Sequence, residues 1–311
     1  MLGFVLRRFS VAIPTILVII TVAFFMMRVA PGGPFDLERP MPEETRQLIE
    51  ARYGLDKPLI FQYFDYMGNL FQGDLGPSLK LRDKNVAEII AEGFPVSATI
   101  GLFSMLLAIG LGTLLGSIAA LKQNSGTDFS VMTFAMVGIS IPPFVMGPIL
   151  ALVFGLYMGW VPTGGLDPRY GMTPDRLILP VITLALPQIA IIARLMRASM
   201  IEVVRSNYIR TARAKGLSAP AVIVRHALRS AILPLVSYLG PASAAVISGS
   251  LVIERVFQLP GIGKHFVDAA LQRDYTVVMG VVIVYATLII VLNLLADLLY
   301  GVLNPKVKYE S

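Results

Sequence analysis

Long uncharged runs alternate along the chain with short polar, charged stretches. Residues 9–27 form an uncharged run of 19, residues 94–121 one of 28, and residues 129–166 one of 38. About 20 apolar residues cross a bilayer as a helix, so each run predicts a membrane span. Residues 177–193, interrupted by Pro180 and Pro187, predict a fourth span, and 230–253 and 276–296 a fifth and a sixth. Pro142 and Pro143 should break or kink the third run. That run fits either one span to about Met158 or a tight hairpin. A hairpin would put the most basic loop outside, against the retention of Lys and Arg on the cytoplasmic side. One span is therefore expected, with Trp160 at the interface. The first run also invites comparison with a cleaved signal peptide. It exceeds the roughly 7–15 apolar residues of such a core, which favours a retained anchor with its N-terminus inside.

The polar stretches carry their own signals. Residues 31–93 hold seven basic and eleven acidic side chains. Pro42 and Pro58 each open a helix-forming stretch, over 43–53 and 59–71, with Gly54 and Gly73 as stops. In the second stretch Ile60, Tyr63, Phe64 and Met67 share a face by their three-and-four spacing. These residues predict a small ordered extracytoplasmic unit, too short to be an enzyme domain. The division expected is residues 1–30 as N-terminal segment and first span, 31–93 as an extracytoplasmic region, and 94–311 as a five-helix core. Residues 112 and 116 form a Gly-xxx-Gly pair, which lets helix backbones approach closely where packing rather than water drives association. The small residues of the fifth span, Gly240 and Ser243 among them, read as a packing seam, and Asn293 is placed to bond to a neighbouring helix. Together with Pro142 and Pro143 these are the candidate packing or pathway positions.

The stretch 194–234 holds eight of the 26 Lys and Arg residues and a single acid, Glu202. Its charge marks it as cytoplasmic. Residues 199–215 are rich in helix formers, and Arg213 and Lys215 suit the negative end of the helix dipole. Gly216 falls where a left-handed cap is expected, and Ser218 and Pro220 suit the start of a second helix. On charge alone, a solvated or lipid-touching basic loop would account for this stretch.

Composition agrees with a membrane protein: 55% of residues are hydrophobic and 15% charged, against about 25% charged in soluble domains. The net charge of +6 is concentrated in the loop wedged between spans, which argues against nucleic acid as a partner. With no cysteine there are no disulfides or thiolate metal sites. No Gly-x-x-x-x-Gly-Lys-Ser/Thr phosphate loop occurs, so ATP is not bound by that route. His226 and His265 are expected on opposite faces, which leaves no shared metal site. No nucleophile, base and orienting group stand in a recognisable pattern, and no catalytic activity is expected. Of the ionisable residues near apolar runs, Arg28 and Asp297 sit at span ends. A proton-coupled carrier would need a better-buried carboxylate.

The wording of the basic loop narrows these readings. The sequence from Tyr208 through Ile209, Arg210, Thr211, Ala212, Arg213, Ala214, Lys215 and Gly216 to Leu217, followed by Arg225-His226-Ala227-Leu228, resembles the coupling loop of ATP-binding-cassette importer permeases. In the general pattern of that family, Ala212, Gly216 and Leu228 match. Arg210 stands where Glu is usual, His226 where Ile is usual, and Arg229 where Pro is usual, as in the subfamily of oligopeptide and dipeptide permeases. Pro31-Gly32-Gly33-Pro34, Gly73-Asp74-Leu75-Gly76 and Leu259-Pro260-Gly261-Ile262-Gly263 also resemble that subfamily. The resemblance implies a type I importer permease fold with a coupling loop at about 199–232. It also implies a place in the bacterial inner membrane with both termini cytoplasmic. Expected partners are a second permease, two cytoplasmic ATPase subunits that hold ATP and Mg, an extracytoplasmic peptide-binding protein, and membrane lipid. The resemblance leaves dipeptides, glutathione or nickel open as cargo beside oligopeptides.

Overall fold

The computed structural model describes residues 2–29, 44, 47–48, 51, 54–81 and 83–303, with side chains from residue 10 onward. The helix expected over 43–53 falls largely outside these residues. The described chain is helical, apart from isolated bridges at Pro77–Asn85 and Asp167–Gly171. It divides into two compact units, one of Met1–Val96 with Pro260–Leu288 and one of Ser97–Leu259 with Ile289–Ser311.

In the first unit α1 (Leu2–Val29) packs against α2 (Leu59–Phe71). Ile20, Phe24 and Met67 share a core with Met279, and Phe24, Phe25, Tyr63 and Tyr66 form an aromatic cluster around it. Arg28, at the span end, is half-buried rather than fully exposed. Its guanidinium lies 4.8 Å from the Phe24 ring centre, and its Nε donates to Gln62 Oε1 at 2.9 Å. The buried face of α2 is built on Gln62, Tyr63, Tyr66 and Met67. Ile60 and Phe64, expected on that face, are exposed instead.

A second anchor in this unit is Asp274, which is 2% exposed. It accepts from the Ser78 hydroxyl, from the Leu79 and Lys80 amides at 3.2 and 3.3 Å, and from Thr276 Oγ1 at 2.9 Å. The Val277 amide adds a fifth donor at 3.3 Å, in the first turn of α12 (Tyr275–Leu303), which follows α11 (Ile262–Gln272). The loop before α3 (Val86–Leu121) and the start of α12 are thus tied to one carboxylate.

In the second unit α4 (Gly126–Ser140) and α5 (Pro143–Leu150) pack on α6 (Pro174–Val204). The third span is not continuous. α4 and the segment Pro143–Tyr157, whose last turns are π-helical, meet at a bend of 104°. Pro143 disfavours helical backbone at the residue before it, and Pro142 is accordingly extended (φ −58°, ψ 142°). Among the described residues, five helices are long and apolar enough to cross a membrane, or six if the bent pair counts as one.

The fourth span is longer than its apolar run. α6 continues through Pro180, Pro187, Arg194 and Arg197 for 31 residues, and twelve of its side chains are buried. Interior prolines are tolerated in membrane helices because neighbouring groups satisfy the freed carbonyls. The fifth span, α10 (Leu233–Val256), also packs on α6. It contains Glu254, which is fully buried although it lies beyond the apolar run 230–253 that predicts the span. Gly112 and Gly116 of α3 face α6. A Cβ on Gly112 would lie 2.7 Å from Ile192 Cγ2, and one on Gly116 2.8 Å from Met196 Cβ. The Gly pair is a close-packed seam.

Candidate functional site

The basic loop is a short helix held between two buried surfaces. α6 ends at Val204, where one continuous helix over 199–215 was expected. Ser206 breaks it and opens α7 (Asn207–Ala214), with the Ser206 hydroxyl turned back to Val203 O at 2.6 Å. Only Ile209 and Ala212 of α7 are buried, one turn apart. They join Met196 and Met200 of α6 and Val222, Ala227 and Ala231 of the following segment in one hydrophobic core. Three residues apart on a helix share a face, so this pair fixes the roll of α7.

The opposite face is polar and basic. Tyr208, Arg210, Thr211, Arg213, Ala214, Lys215, Gly216 and Leu217 are all exposed, and no acid lies among them. Arg213 lies in the last turn and Lys215 at the C-cap, where the helix dipole favours positive charge. Gly216 has φ +80°, as the sequence predicts. Its amide donates to Arg213 O at 2.9 Å and the Leu217 amide donates to Ala212 O at 3.4 Å. These two bonds form a Schellman cap, which only a residue tolerant of left-handed backbone closes without strain.

After the cap the chain re-enters helix at α8 (Ala219–Ala221), with Pro220 in its first turn as expected. Ser218 occupies the N-cap position, yet its side chain makes no capping bond. A π-helical stretch, Val222–Ala227, then runs through α9 (Leu228–Ala231) into α10. The result is a rigid basic knob: a two-residue hydrophobic footing, a capped end and a cationic outer face.

Sequence reasoning missed the ion pair beside it. Asp128, 4% exposed in the first turn of α4, accepts from Arg197 Nε and Nη2 at 2.6 Å each. Its carboxylate also accepts from the Asn124 amide at 2.9 Å. Arg205 Nη2 donates to Gln123 Oε1 at 2.8 Å. The turn between α3 and α4 is thereby clamped to the end of α6 from which α7 departs. No local pattern marks this pair, since its partners lie 69 residues apart in sequence.

The remaining candidates fall elsewhere. Pro142 and Pro143 make the 104° bend. Gly240 and Asn293 come together, since a Cβ on Gly240 would meet the Asn293 amide. Asn293 Nδ2 donates to Ile289 O of its own helix at 2.8 Å, and its Oδ1 faces Gly240. Ser243 likewise bonds within its helix, to Leu239 O at 2.7 Å.

The helical membrane fold has a solved counterpart. A chain of the MetNI methionine ABC transporter, in inward-facing conformations, aligns with TM-score 0.55 and 17% identity over 70% of this chain and 94% of that one. The chain belongs to the family described as "Binding-protein-dependent transport system inner membrane component", whose pattern matches residues 112–309. The corresponding N-terminal family matches residues 1–101.

Among its relatives, the oligopeptide transport system permease protein OppB of Haemophilus influenzae is 49% identical over 99% of this chain and 100% of its own length. OppB of Salmonella typhimurium is 50% identical with the same coverage. The dipeptide transport system permease protein DppB of Bacillus subtilis is 42% identical over 100% of this chain and 99% of its own. This protein is a multi-pass permease subunit of a binding-protein-dependent importer of the inner membrane, with ATP handled by other subunits.

Proposed function

We propose that this chain is the permease subunit of an ATP-binding-cassette importer that carries oligopeptides. The observation that supports the cargo is similarity along the whole chain, at 49–50% identity, to permeases named for oligopeptides, against 42% to one named for dipeptides. The expected assembly is this chain, a second permease, two cytoplasmic ATPases and an extracytoplasmic peptide-binding protein, with both termini of this chain in the cytoplasm. In this reading Tyr208, Arg210, Arg213, Lys215 and Leu217 present the cationic outer face to an ATPase groove. Ile209 and Ala212 carry its movement into α6 and the segment leading to α10. Closure of the ATPase pair would then drive alternation between inward- and outward-open states. A rigid footing suits that task, because a floppy loop would absorb the stroke.

The test is uptake of a labelled peptide by right-side-out vesicles that contain the whole complex, with ATP inside and the binding protein outside, read beside ATP hydrolysis. Charge reversal at Arg210 and Arg213 should abolish stimulated hydrolysis and uptake together while the complex stays in the membrane. Unchanged hydrolysis in that variant would remove the knob from the coupling path.

A further inference from the structure

α2 follows the first span in sequence and was expected to belong to a water-facing region. Its contacts place it deeper. Gln62 meets Arg28 near the end of the span Ser10–Val29, whereas Met67 packs against Ile20 at the midpoint of that span. Thr21, one residue on, shares a 2.8 Å hydrogen bond with the Tyr63 hydroxyl. At a rise of about 1.5 Å per residue, Arg28 and Ile20 are roughly 12 Å apart along the helix axis. α2 therefore descends beside the outer half of a membrane span.

The face of α2 turned away from that span is also apolar. Ile60, Phe61, Phe64 and Phe71 are between 50% and 80% exposed. α1 carries its own exposed apolar row at the same depth, with Val22 at 50%, Met26 at 68% and Val29 at 73%. Within α2, residues 59–71, the only charge is Asp65. It pairs with Lys57 at 2.6 Å, just before the start of the helix. Asp65 and Asn69 make one polar edge, between the aromatic face and the face packed on α1. A helix with an aromatic face, a narrow polar edge and little charge suits the boundary between headgroups and acyl chains.

We propose that α2 is embedded in the leaflet at the Val29 end of the first span, with Ile60, Phe61, Phe64 and Phe71 in contact with phospholipid acyl chains. The occupant is lipid rather than a protein partner because this face lies at the same depth as the exposed apolar row of a helix that itself crosses the bilayer. The Lys57–Asp65 pair then lies at headgroup level.

The test uses the complete complex in phosphatidylcholine vesicles. Trp160 is the sole tryptophan of this chain, so Trp160→Phe combined with Phe64→Trp leaves one reporter in it, read as the difference from the same complex carrying Trp160→Phe alone. Exchange into vesicles of bromine-labelled phosphatidylcholine should quench its emission, which should be blue-shifted and inaccessible to aqueous iodide. A reporter at Asn69→Trp, on the polar edge, should be quenched less by the labelled lipid. Quenching of the Phe64→Trp reporter by iodide and not by the lipid would place the face in water and overturn the proposal. Protection from both quenchers would show a protein subunit covering it, with the same consequence. If Phe64→Trp does not assemble, Phe71→Trp, the most exposed position of the face, gives the same three readings.

Discussion

Gly216 gives the sharpest test of how the basic knob works. Its φ of +80° closes the Schellman cap, and no atom lies within 4 Å of the place a Cβ would occupy. A substitution here therefore acts through backbone conformation and not through a clash. Forcing an L side chain into the left-handed region costs about 1–2 kcal/mol. That changes the ratio of capped to uncapped elbow by a factor of roughly 5–30. Asn tolerates the conformation best among the other residues, so Gly216→Asn should transport at close to the normal rate. Gly216→Ala should be intermediate. Gly216→Pro cannot reach the required φ and also removes the amide that donates to Arg213 O, so it should lose the cap outright. The assay is ATP-driven peptide uptake into vesicles, normalised to the amount of complex in the membrane. The expected order is Gly, Asn, Ala, Pro, with hydrolysis in the Pro variant no longer linked to uptake. Normal uptake by Gly216→Pro at normal membrane levels would refute the reasoning.

Further outcomes follow from the same structure. Gly116→Leu should separate α3 from α6, since its Cβ alone would lie 2.8 Å from Met196 Cβ, and overpacking of this kind costs about 1–3 kcal/mol. A lowered Tm of the solubilised complex would register it, and an unchanged Tm would contradict the close-packed seam. Arg197→Met leaves the buried Asp128 carboxylate without its main partner, a loss of about 1–3 kcal/mol, and adding Asp128→Asn should restore part of the Tm. The Asp167 carboxyl is held below the ordinary carboxylate range by the Arg169 and Tyr170 amides, with Arg176 adding a smaller effect. Its folded pKa is thus below the unfolded one, so its contribution is present above the usual carboxylate range and lost as pH falls through the depressed value. An acid titration of Trp160 emission should show a loop transition in the wild type that Asp167→Asn lacks.

What could be read in advance depended on whether a local rule or a distant partner decided the outcome. The spans were legible because apolar length is itself the requirement for crossing a bilayer. The cap at Gly216 and the break at Pro142-Pro143 were legible because backbone chemistry at one or two residues fixes them. The extent of α6 was not, because hydropathy ends at Arg194 while the helix runs on to Val204, with Arg197 neutralised by Asp128. No pattern announces a pair 69 residues apart.

The packing face of α2 failed for a different reason. In water the apolar face is the buried one, so Ile60, Tyr63, Phe64 and Met67 were the natural choice. Beside a membrane span the outer face is apolar as well, and the packed face is instead the one that brings Gln62 to Arg28 and Tyr63 to Thr21. Glu254 shows the same weakness, since the charge that closes the apolar run 230–253 lies inside the helix.

The most direct test of the central claim is uptake of a labelled tri- to pentapeptide by cells with and without this chain, each with and without ATP depletion. The account predicts uptake that requires both the chain and ATP, and that persists when the proton gradient is collapsed at constant ATP. Peptide uptake that continues without the chain would contradict the proposed cargo. Uptake that requires the chain but follows the proton gradient would contradict the ATP-driven mechanism.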